Sequence, residues 1–569
     1  MKKIFEYLKP YRKWLIIGPI LKLIEAIIEV VIPIIIAGII DNMSYYDTNT
    51  LILKAIYMLV FITIGLITAI SSQYIATKTS QGYATSLRKK LFEHISNLSN
   101  IQIQKIGPSA LTNRVTYDVN QLELATTMFI RLVIRVPFIC ISSLIMTFLI
   151  NNKLGFIMLS SMILFSISIY LIIKFSSPLY KKSNEYLDKM LVHVKENLIN
   201  ARLVRTFVEK IKEQEKFKKI NLKTGDYALK ANTLSLFLSP ITTIILNIGI
   251  VAVIYIGKFE IDNSVLSQGE LIAVINYLLQ MLIAILVLSN LIIIYTKAFV
   301  SARRIEEVLN EKPNIVSGNS NNFEKMSNVC IELKNVSFSY NNSSVKSLND
   351  ISFKIYTGEI IGIIGLTGSG KSTLLNILNR SYEVADGEVN IFNNDIKSYN
   401  IEFLKKEIKY ISGRATLFNT TIKENVEMAE DKDEKQIKDA LKNADALEFV
   451  EKKSDGINYI LDNDANNLSG GQKQRILISR AFIANPRIFL LDDITSALDN
   501  KTENIVLNNL FEKVKEEKIT TIITSQKIKT IKEADKIIVL NNGKIESIGS
   551  HEELLNSSET YKKIYEIQN

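Results

Sequence analysis

A glycine-rich octapeptide in the second half of the chain carries the residue types needed to bind phosphate. The stretch Gly365-Leu-Thr-Gly-Ser-Gly-Lys-Ser372 fits the pattern G-x-x-x-x-G-K-[S/T] at every fixed position. Small residues let backbone N–H groups surround phosphate oxygens, and the helix that follows turns its positive end toward them. Lys371 would neutralise the outer phosphates, and the Ser372 hydroxyl would ligate Mg²⁺. The sequence therefore predicts a nucleotide-binding loop.

The surroundings of this loop support the prediction, because a phosphate loop joins a buried strand to a helix. The apolar run at 360–364 predicts the strand, and the segment 373–378 predicts a helix with an apolar face. A chance glycine-rich turn has no reason to be flanked in this way. The loop residues expected to contact nucleotide are Gly365, Thr367, Gly368, Ser369, Gly370, Lys371, Ser372 and Thr373.

Three further motifs follow in chain order, and each of them is weak alone. Leu468-Ser-Gly-Gly-Gln472 precedes an apolar helix at 476–484, so its N–H groups and the Ser469 hydroxyl can face a phosphate. The strand at 488–492 ends in Asp492, a carboxylate that can hold Mg²⁺ through water. The loop Ser496-Ala-Leu-Asp499 comes directly after that strand.

Short apolar runs alternate with helical segments through the second half, which indicates an α/β domain. The predicted strands lie at 331–338, 351–355, 360–364, 488–491, 520–524 and 537–540. Asn542-Gly543 predicts a hairpin turn near the end of the chain. The segment 311–328 is rich in Asn, Ser and Gly and lacks an apolar period. We therefore expect a linker at 313–328 and a nucleotide-binding domain at 329–569.

The first half carries six apolar stretches long enough to cross a bilayer, for which about 20 residues are needed. They lie near 14–40, 51–77, 129–150, 154–177, 234–256 and 270–296. The connections at 78–128 and 178–233 are long and rich in Lys and Arg, and their helical period predicts that they extend the membrane helices. By the positive-inside rule, these connections and both chain ends are cytoplasmic. We expect an α-helical domain in the cell membrane at 1–312.

Composition argues against several other classes of protein. Hydrophobic residues make up 47% of the 569 residues, and the excess lies almost wholly before residue 300. The formal net charge is +10, but the basic residues flank apolar stretches, so we expect no nucleic-acid partner. The two cysteines have no metal-ligand spacing, so neither a disulfide framework nor a zinc site is indicated. The first apolar run is too long for the core of a cleavable signal peptide.

Taken in order, these motifs resemble those of ATP-binding cassette (ABC) proteins, and the membrane half resembles the exporter type. Residues 107–118 and 200–209 look like its two intracellular loops, the first of which carries a short coupling helix. Residues 302–309 look like the exit from the sixth helix. The resemblance implies a half-transporter that works as a dimer, with ATP and Mg²⁺ as ligands and ATP hydrolysis coupled to transport.

In that family, each ATP touches the phosphate loop of one subunit and the signature of the other. The signature residues expected to contact the partner's ATP are Leu468, Ser469, Gly470, Gly471 and Gln472. Tyr340 occupies the position at which the family stacks an aromatic ring on adenine. Asp499 corresponds to the aspartate of the D-loop, which follows the Walker B strand in cassettes of this family.

Three positions depart from the pattern of family members that hydrolyse ATP. Those members have a glutamate after the strand aspartate, whereas this chain has Asp493, whose reach is roughly 1.5 Å shorter. A general base must come within hydrogen-bond distance of the attacking water, so the loss is expected to be costly. Gln526 replaces the switch histidine, and Gly413 replaces the glutamine of the glutamine loop. The resemblance therefore implies that the chain's own site is catalytically impaired.

An impaired site beside an intact signature is typical of one subunit of an asymmetric heterodimer. The expected partner is a second ABC half-transporter with Glu and His at the positions of Asp493 and Gln526. Two alternatives stay open. One is a homodimeric exporter with slow ATPase activity, and the other is an ATP-gated sensor or channel that transports nothing. A soluble cassette does not fit the six apolar spans.

Charged residues within the apolar stretches bear on the cargo. Lys22, Glu25 and Glu29 share one helical face, and such charges indicate either a water-filled cavity or an ion pair that seals helix packing. Both interpretations remain open at this point. Arg131 and Arg135 are expected to snorkel to lipid headgroups. Membrane lipid and a small amphiphilic or hydrophobic substrate are the expected small-molecule partners, and drugs, lipids and peptides all fit.

Overall fold

The computed structural model describes residues 4, 6–323, 328–340, 345–384, 386–413, 415–428 and 432–568. The chain divides into two compact units. The first unit comprises Met1–Ser96 and Ser109–Glu311, and the second comprises Asn97–Pro108 and Lys312–Asn569. A short segment between the second and third spans thus groups with the C-terminal half of the chain.

Helices make up the described part of the chain before the linker. They are α1 (Arg12–Asp41), α2 (Thr48–Ser96), α3 (Asn100–Ile106), α4 (Pro108–Asn113), α5 (Val119–Met128), α6 (Arg135–Ile150), α7 (Asn152–Ile199), α8 (Ala201–Thr206), α9 (Lys210–Leu236), α10 (Leu238–Asp262) and α11 (Gln268–Asn310). A 3₁₀ turn at Lys9–Tyr11 precedes α1, and π-helical segments at Arg114–Asp118 and Phe129–Val133 flank α5.

Six of the described helical segments are long and apolar enough to cross a membrane. They are Lys9–Asp41, Thr48–Ser96, Pro108–Ile150, Asn152–Ile199, Lys210–Asp262 and Gln268–Asn310. The predicted number and order of spans are confirmed. The polar connections also continue the helices as predicted, because α2 runs unbroken to Ser96 with Leu87 and Leu91 fully buried.

Ion pairs link the first and third spans inside the first unit. Lys22 Nζ lies 2.5 Å from Glu25 Oε2, and Arg135 Nη2 lies 2.7 Å from Glu29 Oε2. The prediction that Arg135 snorkels to headgroups is wrong, because a carboxylate on α1 neutralises its guanidinium within the bundle. Arg131 Nε is buried and has no hydrogen-bond partner among the described residues. Pairing of this kind removes most of the cost of placing charges in an apolar surrounding.

The second unit is built on two sheets. Its strands are β1 (Val329–Phe338), β2 (Leu348–Tyr356), β3 (Ile360–Ile364), β4 (Asp386–Ile391), β5 (Asn394–Asp395), β6 (Ile408–Ser412), β7 (Ile488–Asp492), β8 (Thr520–Thr524), β9 (Lys536–Asn541) and β10 (Lys544–Gly549). The antiparallel sheet has the order β2-β1-β4-β5, and the larger sheet has the order β10-β9-β3-β8-β7-β6. In the larger sheet all neighbours are parallel except the pair β9–β10.

The central strands β3, β7 and β8 are buried along their whole length. Near-continuous apolar runs are what a parallel sheet covered on both faces requires. The predicted hairpin at 542–543 is confirmed, since Asn541 pairs with Lys544 across the turn. Asn542 and Gly543 both have positive φ angles, 47° and 77°, as a type I′ turn demands.

Helices on either side of the larger sheet complete the second unit. They are α12 (Lys371–Leu378), α13 (Ile401–Glu407), α14 (Ile422–Glu427), α15 (Glu434–Asn443), α16 (Leu447–Glu451), α17 (Gly470–Ile483), α18 (Asn500–Glu516), α19 (Ile528–Ile531), α20 (His551–Ser557) and α21 (Glu559–Gln568). Short 3₁₀ turns lie at Ile396–Ser398, Gly456–Asn458 and Asn463–Ala465.

The short helix α3 lies just before the stretch 107–118 in which a coupling helix was expected, and it belongs to the second unit. The side chain of Gln102 in α3 donates to the carbonyl oxygen of Lys312 (2.7 Å) and accepts from the N–H of Asn314 (3.2 Å). Ile101 packs against the core of the antiparallel sheet. The start of the linker is thereby bonded to α3.

The expected linker follows the surface of the second unit. Arg380 Nη2 donates to the carbonyl oxygen of Val316 (2.6 Å), and the N–H of Gly318 donates to the carbonyl oxygen of Tyr399 (3.0 Å). Ser320 forms an isolated bridge with Tyr399. The predicted linker residues 324–327 lie outside the described residues.

Candidate nucleotide-binding site

The phosphate loop leaves the end of β3 and enters α12 at Lys371. Gly368 and Gly370 have φ angles of 85° and 103°, a region that side chains disfavour. A Cβ atom at Gly370 would also lie 2.8 Å from the carbonyl oxygen of Ser347. The curvature of the loop therefore requires glycine, and it brings the free N–H groups of the first turn of α12 to the loop.

Two polar side chains in the loop are suited to phosphate. Lys371 Nζ donates to the carbonyl oxygens of Gly365 (2.7 Å) and Leu366 (3.1 Å), so the ammonium group lies across the loop. The Ser369 hydroxyl is buried and has no hydrogen-bond partner among the described residues. A buried hydroxyl without a partner costs about 1–3 kcal/mol, and a phosphate oxygen would supply the missing acceptor.

Asp492, at the end of β7, collects three hydroxyl groups around its buried carboxylate. Thr524 Oγ1 lies 2.6 Å from Oδ1, Ser372 Oγ lies 3.1 Å from Oδ1, and the Tyr410 hydroxyl lies 3.0 Å from Oδ2. Burial and the neighbouring carboxylate of Asp492 raise the pKa of Tyr410 above its ordinary value, so its hydroxyl stays protonated and donates.

The structure thus brings together the two residues predicted to hold Mg²⁺, Ser372 and Asp492. A hydroxyl and a carboxylate are the hard oxygen donors that Mg²⁺ prefers, so this pair suits the ion. Thr524 and Tyr410 were not predicted as site residues. They could have been found from the ends of the parallel strands, because Asp492 is in register with Thr524 and with Ser412, two residues after Tyr410.

A cleft of about 720 Å³ opens beside the loop. Its walls come from the phosphate loop, the loop after β7, residues 525–529 after β8 (the switch segment), and α21. Its lining includes Gly365, Thr367, Asp493, Ser496, Gln526 and Gln568. The positions predicted for the general base and the switch residue therefore share one cleft with the phosphate loop.

Asp493 has a left-handed backbone, with φ 51°. Such a conformation costs a residue with a side chain about 1–2 kcal/mol. The N–H of Asp493 donates to both the carbonyl oxygen (3.1 Å) and the Oγ1 (3.2 Å) of Thr524, and these bonds hold the turn. The path of the main chain at Asp493 determines how closely neighbouring segments can approach this turn.

Gly413 follows β6 and lies against that turn. Its N–H donates to the carbonyl oxygen of Asp492 (2.9 Å). A Cβ atom at Gly413 would overlap the carbonyl oxygen of Asp493 and lie 2.7 Å from Gln474 Nε2. No side chain fits at this position unless the backbone shifts. The sequence did not reveal this close approach at the position where a glutamine was expected.

The switch segment is held from two sides by residues that were not predicted. Gln568 Nε2 donates to the carbonyl oxygen of Gln526 (2.6 Å), and Gln568 Oε1 accepts from the N–H of Ile528 (2.8 Å). Lys527 Nζ donates to Glu503 Oε2 (2.8 Å), and Glu503 is fully buried. The backbone around Gln526 is fixed, whereas its side chain is exposed. Nothing in the local sequence around Glu503 or Gln568 would have indicated these roles.

The signature motif begins α17 on the surface. Ser469 caps the helix, because its Oγ accepts from the N–H of Gln472 (3.3 Å) while Gln472 Oε1 accepts from the N–H of Ser469 (3.0 Å). A Cβ atom at Gly470 would meet nothing within 4 Å. Neither Ser469 nor Gly470 lines the cleft beside the chain's own phosphate loop.

Gln474 connects the signature helix to the loop after β7. This buried side chain accepts from the N–H of Ala497 (2.7 Å) and donates to Ser496 Oγ (3.1 Å). At the end of that loop Asp499 caps α18, and hydrogen bonds from the backbone and side chain of Thr502 lower the pKa of Asp499. A displacement at the signature would therefore reach the loop that carries Asp499.

Tyr340 lies beside the start of α12. Its hydroxyl is 3.0 Å from Thr373 Oγ1, and its ring packs edge-on against Phe338 and Tyr382, with centroids 5.0 and 5.4 Å away. The ring is therefore oriented by aromatic neighbours next to the phosphate loop. Residues 341–344, which follow it, lie outside the described residues.

Comparison with known proteins identifies the family. The chain matches the ABC transporter transmembrane region over residues 15–286 and the ABC transporter family over residues 348–496. It is 32% identical over 570 residues to the uncharacterized ABC transporter ATP-binding protein YfiB of Bacillus subtilis (strain 168), covering 100% of this chain and 98% of that protein. The chain belongs to the ABC transporter family.

Other relatives agree with this assignment. The chain is 27% identical to the ATP-dependent lipid A-core flippase of Haemophilus influenzae (strain 86-028NP), covering 100% of this chain and 97% of that protein. The structure of a bacterial Atm1-family ABC exporter with ATP bound superposes with a TM-score of 0.81 and covers 98% of both chains. At 20% identity this likeness establishes the fold.

This member of the family is a half-transporter, a multi-pass membrane protein in which a transmembrane domain is fused to one ATP-binding cassette. The predicted fold, six membrane helices followed by an α/β cassette, is confirmed. The family's activity is transport driven by ATP hydrolysis, so the cleft beside the phosphate loop belongs to an ATP-binding cassette.

The close approach at Gly413 yields a testable prediction. Gly413→Gln and Gly413→Ala are both expected to lower the free energy of unfolding by about 1–3 kcal/mol, because the Cβ atom alone causes the overlap. Thermal unfolding in detergent measures the effect, at about 2–4 °C in Tm per kcal/mol for a domain of this size. Gly470→Ala is the matched control, since a Cβ atom there meets open space. A Gly413→Gln protein as stable as wild type would show that the site accepts a glutamine.

Proposed function

We propose that this chain is one subunit of a heterodimeric ATP-driven exporter. Its own ATP site is degenerate, and its signature completes the hydrolytic site on the partner's cassette. The observation that carries the proposal is the steric closure at Gly413, which leaves no room for the missing glutamine in the present backbone.

The chain's own site retains what is needed to bind ATP. Lys371 supplies positive charge at the loop, and the buried Ser369 hydroxyl offers a donor that nothing else among the described residues uses. Ser372 and Asp492 are the residues that would hold Mg²⁺, which neutralises charge on the phosphates when bound. We infer that ATP binds here and persists.

This site also lacks two further groups that hydrolysis of ATP requires. The carboxylate of Asp493 is one methylene shorter than that of a glutamate, so it reaches the attacking water less well. Gln526 is neutral at every pH, and it cannot provide the imidazole donor that family members place at the switch. Because groups of this kind act as a unit, the loss of several together leaves slow turnover.

The signature supports the second part of the proposal. Ser469 and Gly470 are exposed at the N-terminal end of a helix of 14 residues, where free N–H groups favour a phosphate. They lie outside the chain's own cleft, so the phosphate they would meet belongs to a second cassette. In a chain whose own site hydrolyses ATP slowly, an intact signature still serves hydrolysis at the partner's site.

The proposed cargo is a hydrophobic or amphiphilic molecule that leaves the cell. Relatives that agree with this class include the lipid A-core flippase named above and a putative multidrug export protein, YgaD of Bacillus subtilis (strain 168), 27% identical over 585 residues. The charged side chains of α1 are engaged with each other and with Arg135, so they do not by themselves call for a charged cargo.

The signature gives the first test of this proposal. Gly470→Asp places a carboxylate where the γ-phosphate of the partner's ATP would lie. ATP hydrolysis by the heterodimer should then fall about 100-fold, which is the size of the loss when an enzyme loses one hydrogen-bond donor to a charge that develops in the transition state. The control is the same substitution in the partner's signature, which faces the degenerate site and should lower the rate much less. Equal losses from both substitutions would contradict the asymmetry. Brisk hydrolysis by the purified chain alone would favour the homodimeric alternative.

The degenerate positions give the second test, which measures the rate of ATP turnover. The partner's catalytic glutamate is changed to glutamine throughout, so that only this chain's site contributes to that rate. Asp493→Glu alone should raise ATP turnover only slightly, because the switch contact is still missing. Asp493→Glu with Gln526→His should raise it further, yet leave it below that of an intact site because Gly413 stays closed. Full recovery from Asp493→Glu alone would mean that the shorter carboxylate was the only defect.

A further inference from the structure

A cavity of about 460 Å³ lies within the first unit, beneath the N-terminal segment. It is enclosed by that segment and by α1, α2, the third span and α11. Representative lining residues are Leu8, Leu15, Phe129 and Ala298. The volume falls within the range of about 300–1,000 Å³ that is typical of sites for small ligands. The walls are almost wholly apolar, so the occupant must be apolar as well.

A second apolar cleft adjoins the cavity. That cleft, of about 780 Å³, is lined by residues of the third span and α11, and Phe129, Tyr295 and Phe299 line both spaces. The two spaces thus share three side chains, and they are bordered by helices long and apolar enough to cross a membrane. A long, flexible hydrocarbon chain fits two adjoining spaces better than a compact molecule does.

Three hydroxyl groups line the wall, and they differ in whether a described residue binds them. Tyr295 donates to the carbonyl oxygen of Ala125 (3.0 Å), and Thr126 donates to the carbonyl oxygen of Leu122 (2.8 Å), so both of these hydroxyls are satisfied. Tyr83 lines the cavity, is only 2% exposed and makes no hydrogen bond with any described residue. Its hydroxyl is therefore available to donate to an acceptor that enters the cavity.

The start of α1 packs against the part of α2 that carries Tyr83, and it includes a cationic residue. The Tyr11 side chain packs against Gly82 so closely that a Cβ atom there would overlap the Tyr11 hydroxyl, which brings the start of α1 to the turn that carries Tyr83. Arg12 follows Tyr11, is exposed, and stands one helical turn from the lining residue Leu15. Arg12 forms no ion pair with any described residue.

We propose that this cavity binds one acyl chain of an anionic glycerophospholipid. The chain fills the apolar space, the ester carbonyl accepts a hydrogen bond from the Tyr83 hydroxyl, and the headgroup is drawn to Arg12. The lipid acts as a fixed part of the membrane domain, holding the N-terminal segment to α2 and α11. It is distinct from the transported cargo, which must be released in each cycle.

Native mass spectrometry of the full transporter, released from membranes in mild detergent, tests this proposal. We expect an anionic phospholipid bound to each copy of this chain. Ala298→Phe fills the cavity and should abolish the bound lipid, whereas Ala55→Phe, on an exposed part of α2 away from the cavity, should retain it. Tyr83→Phe preserves shape but loses the donor, and lipid retention should fall about fivefold.

Other outcomes decide against the proposal. Equal lipid retention by Ala298→Phe and Ala55→Phe would overturn it, as would a bound molecule without an acyl chain, which would identify the cavity as a cargo site. Arg12→Gln should shift the retained lipid from anionic toward zwitterionic, and an unchanged lipid class would remove the proposed headgroup contact. If Ala298→Phe fails to fold, Tyr83→Phe decides, because undiminished retention by that variant would refute the ester contact.

Discussion

The carboxylate of Asp492 is the interaction on which the nucleotide site depends. It accepts hydrogen bonds from Ser372 on the phosphate-loop helix, from Thr524 at the end of β8 and from Tyr410 in β6. One side chain thereby fixes the ends of adjacent parallel strands relative to the loop. The next residue, Asp493, must then turn through a left-handed conformation. Its carbonyl oxygen occupies the space that a side chain at position 413 would need.

This constraint connects the three unusual positions of the site. The path of the main chain at Asp493 leaves no space for a Cβ atom at Gly413. The switch residue Gln526 is held in the same cleft by Gln568, and the buried Glu503 anchors the neighbouring Lys527. These contacts fix the backbone around the cleft. Such order is consistent with the proposal that this site binds ATP stably while the signature of the same chain serves another cassette.

Much of this arrangement was predictable from sequence. The membrane spans follow from apolar length, the strand–loop–helix around Lys371 from its glycines, and the hairpin at 542–543 from its Asn-Gly pair. The rest depends on contacts between distant segments. Arg135 was expected at headgroups, yet its partner Glu29 lies 106 positions earlier in the chain. The close approach of Asp493 to Gly413 likewise forms only once the strands have come together. The hydrogen bonds between Gln568 and the switch segment form only once α21 has docked.

Identifying the nucleotide trapped at each site during turnover shows which of the two sites hydrolyses ATP. The transporter would be stalled with Mg²⁺, ATP and vanadate, and each bound nucleotide would be identified by electron cryomicroscopy. We expect intact ATP at the phosphate loop of this chain, with Lys371 and Ser369 against its phosphates. At the partner's phosphate loop we expect ADP with vanadate, facing Gly470 of this chain. ADP with vanadate at this chain's own loop would contradict the account, because it would mean that the site with Asp493, Gln526 and Gly413 hydrolyses ATP.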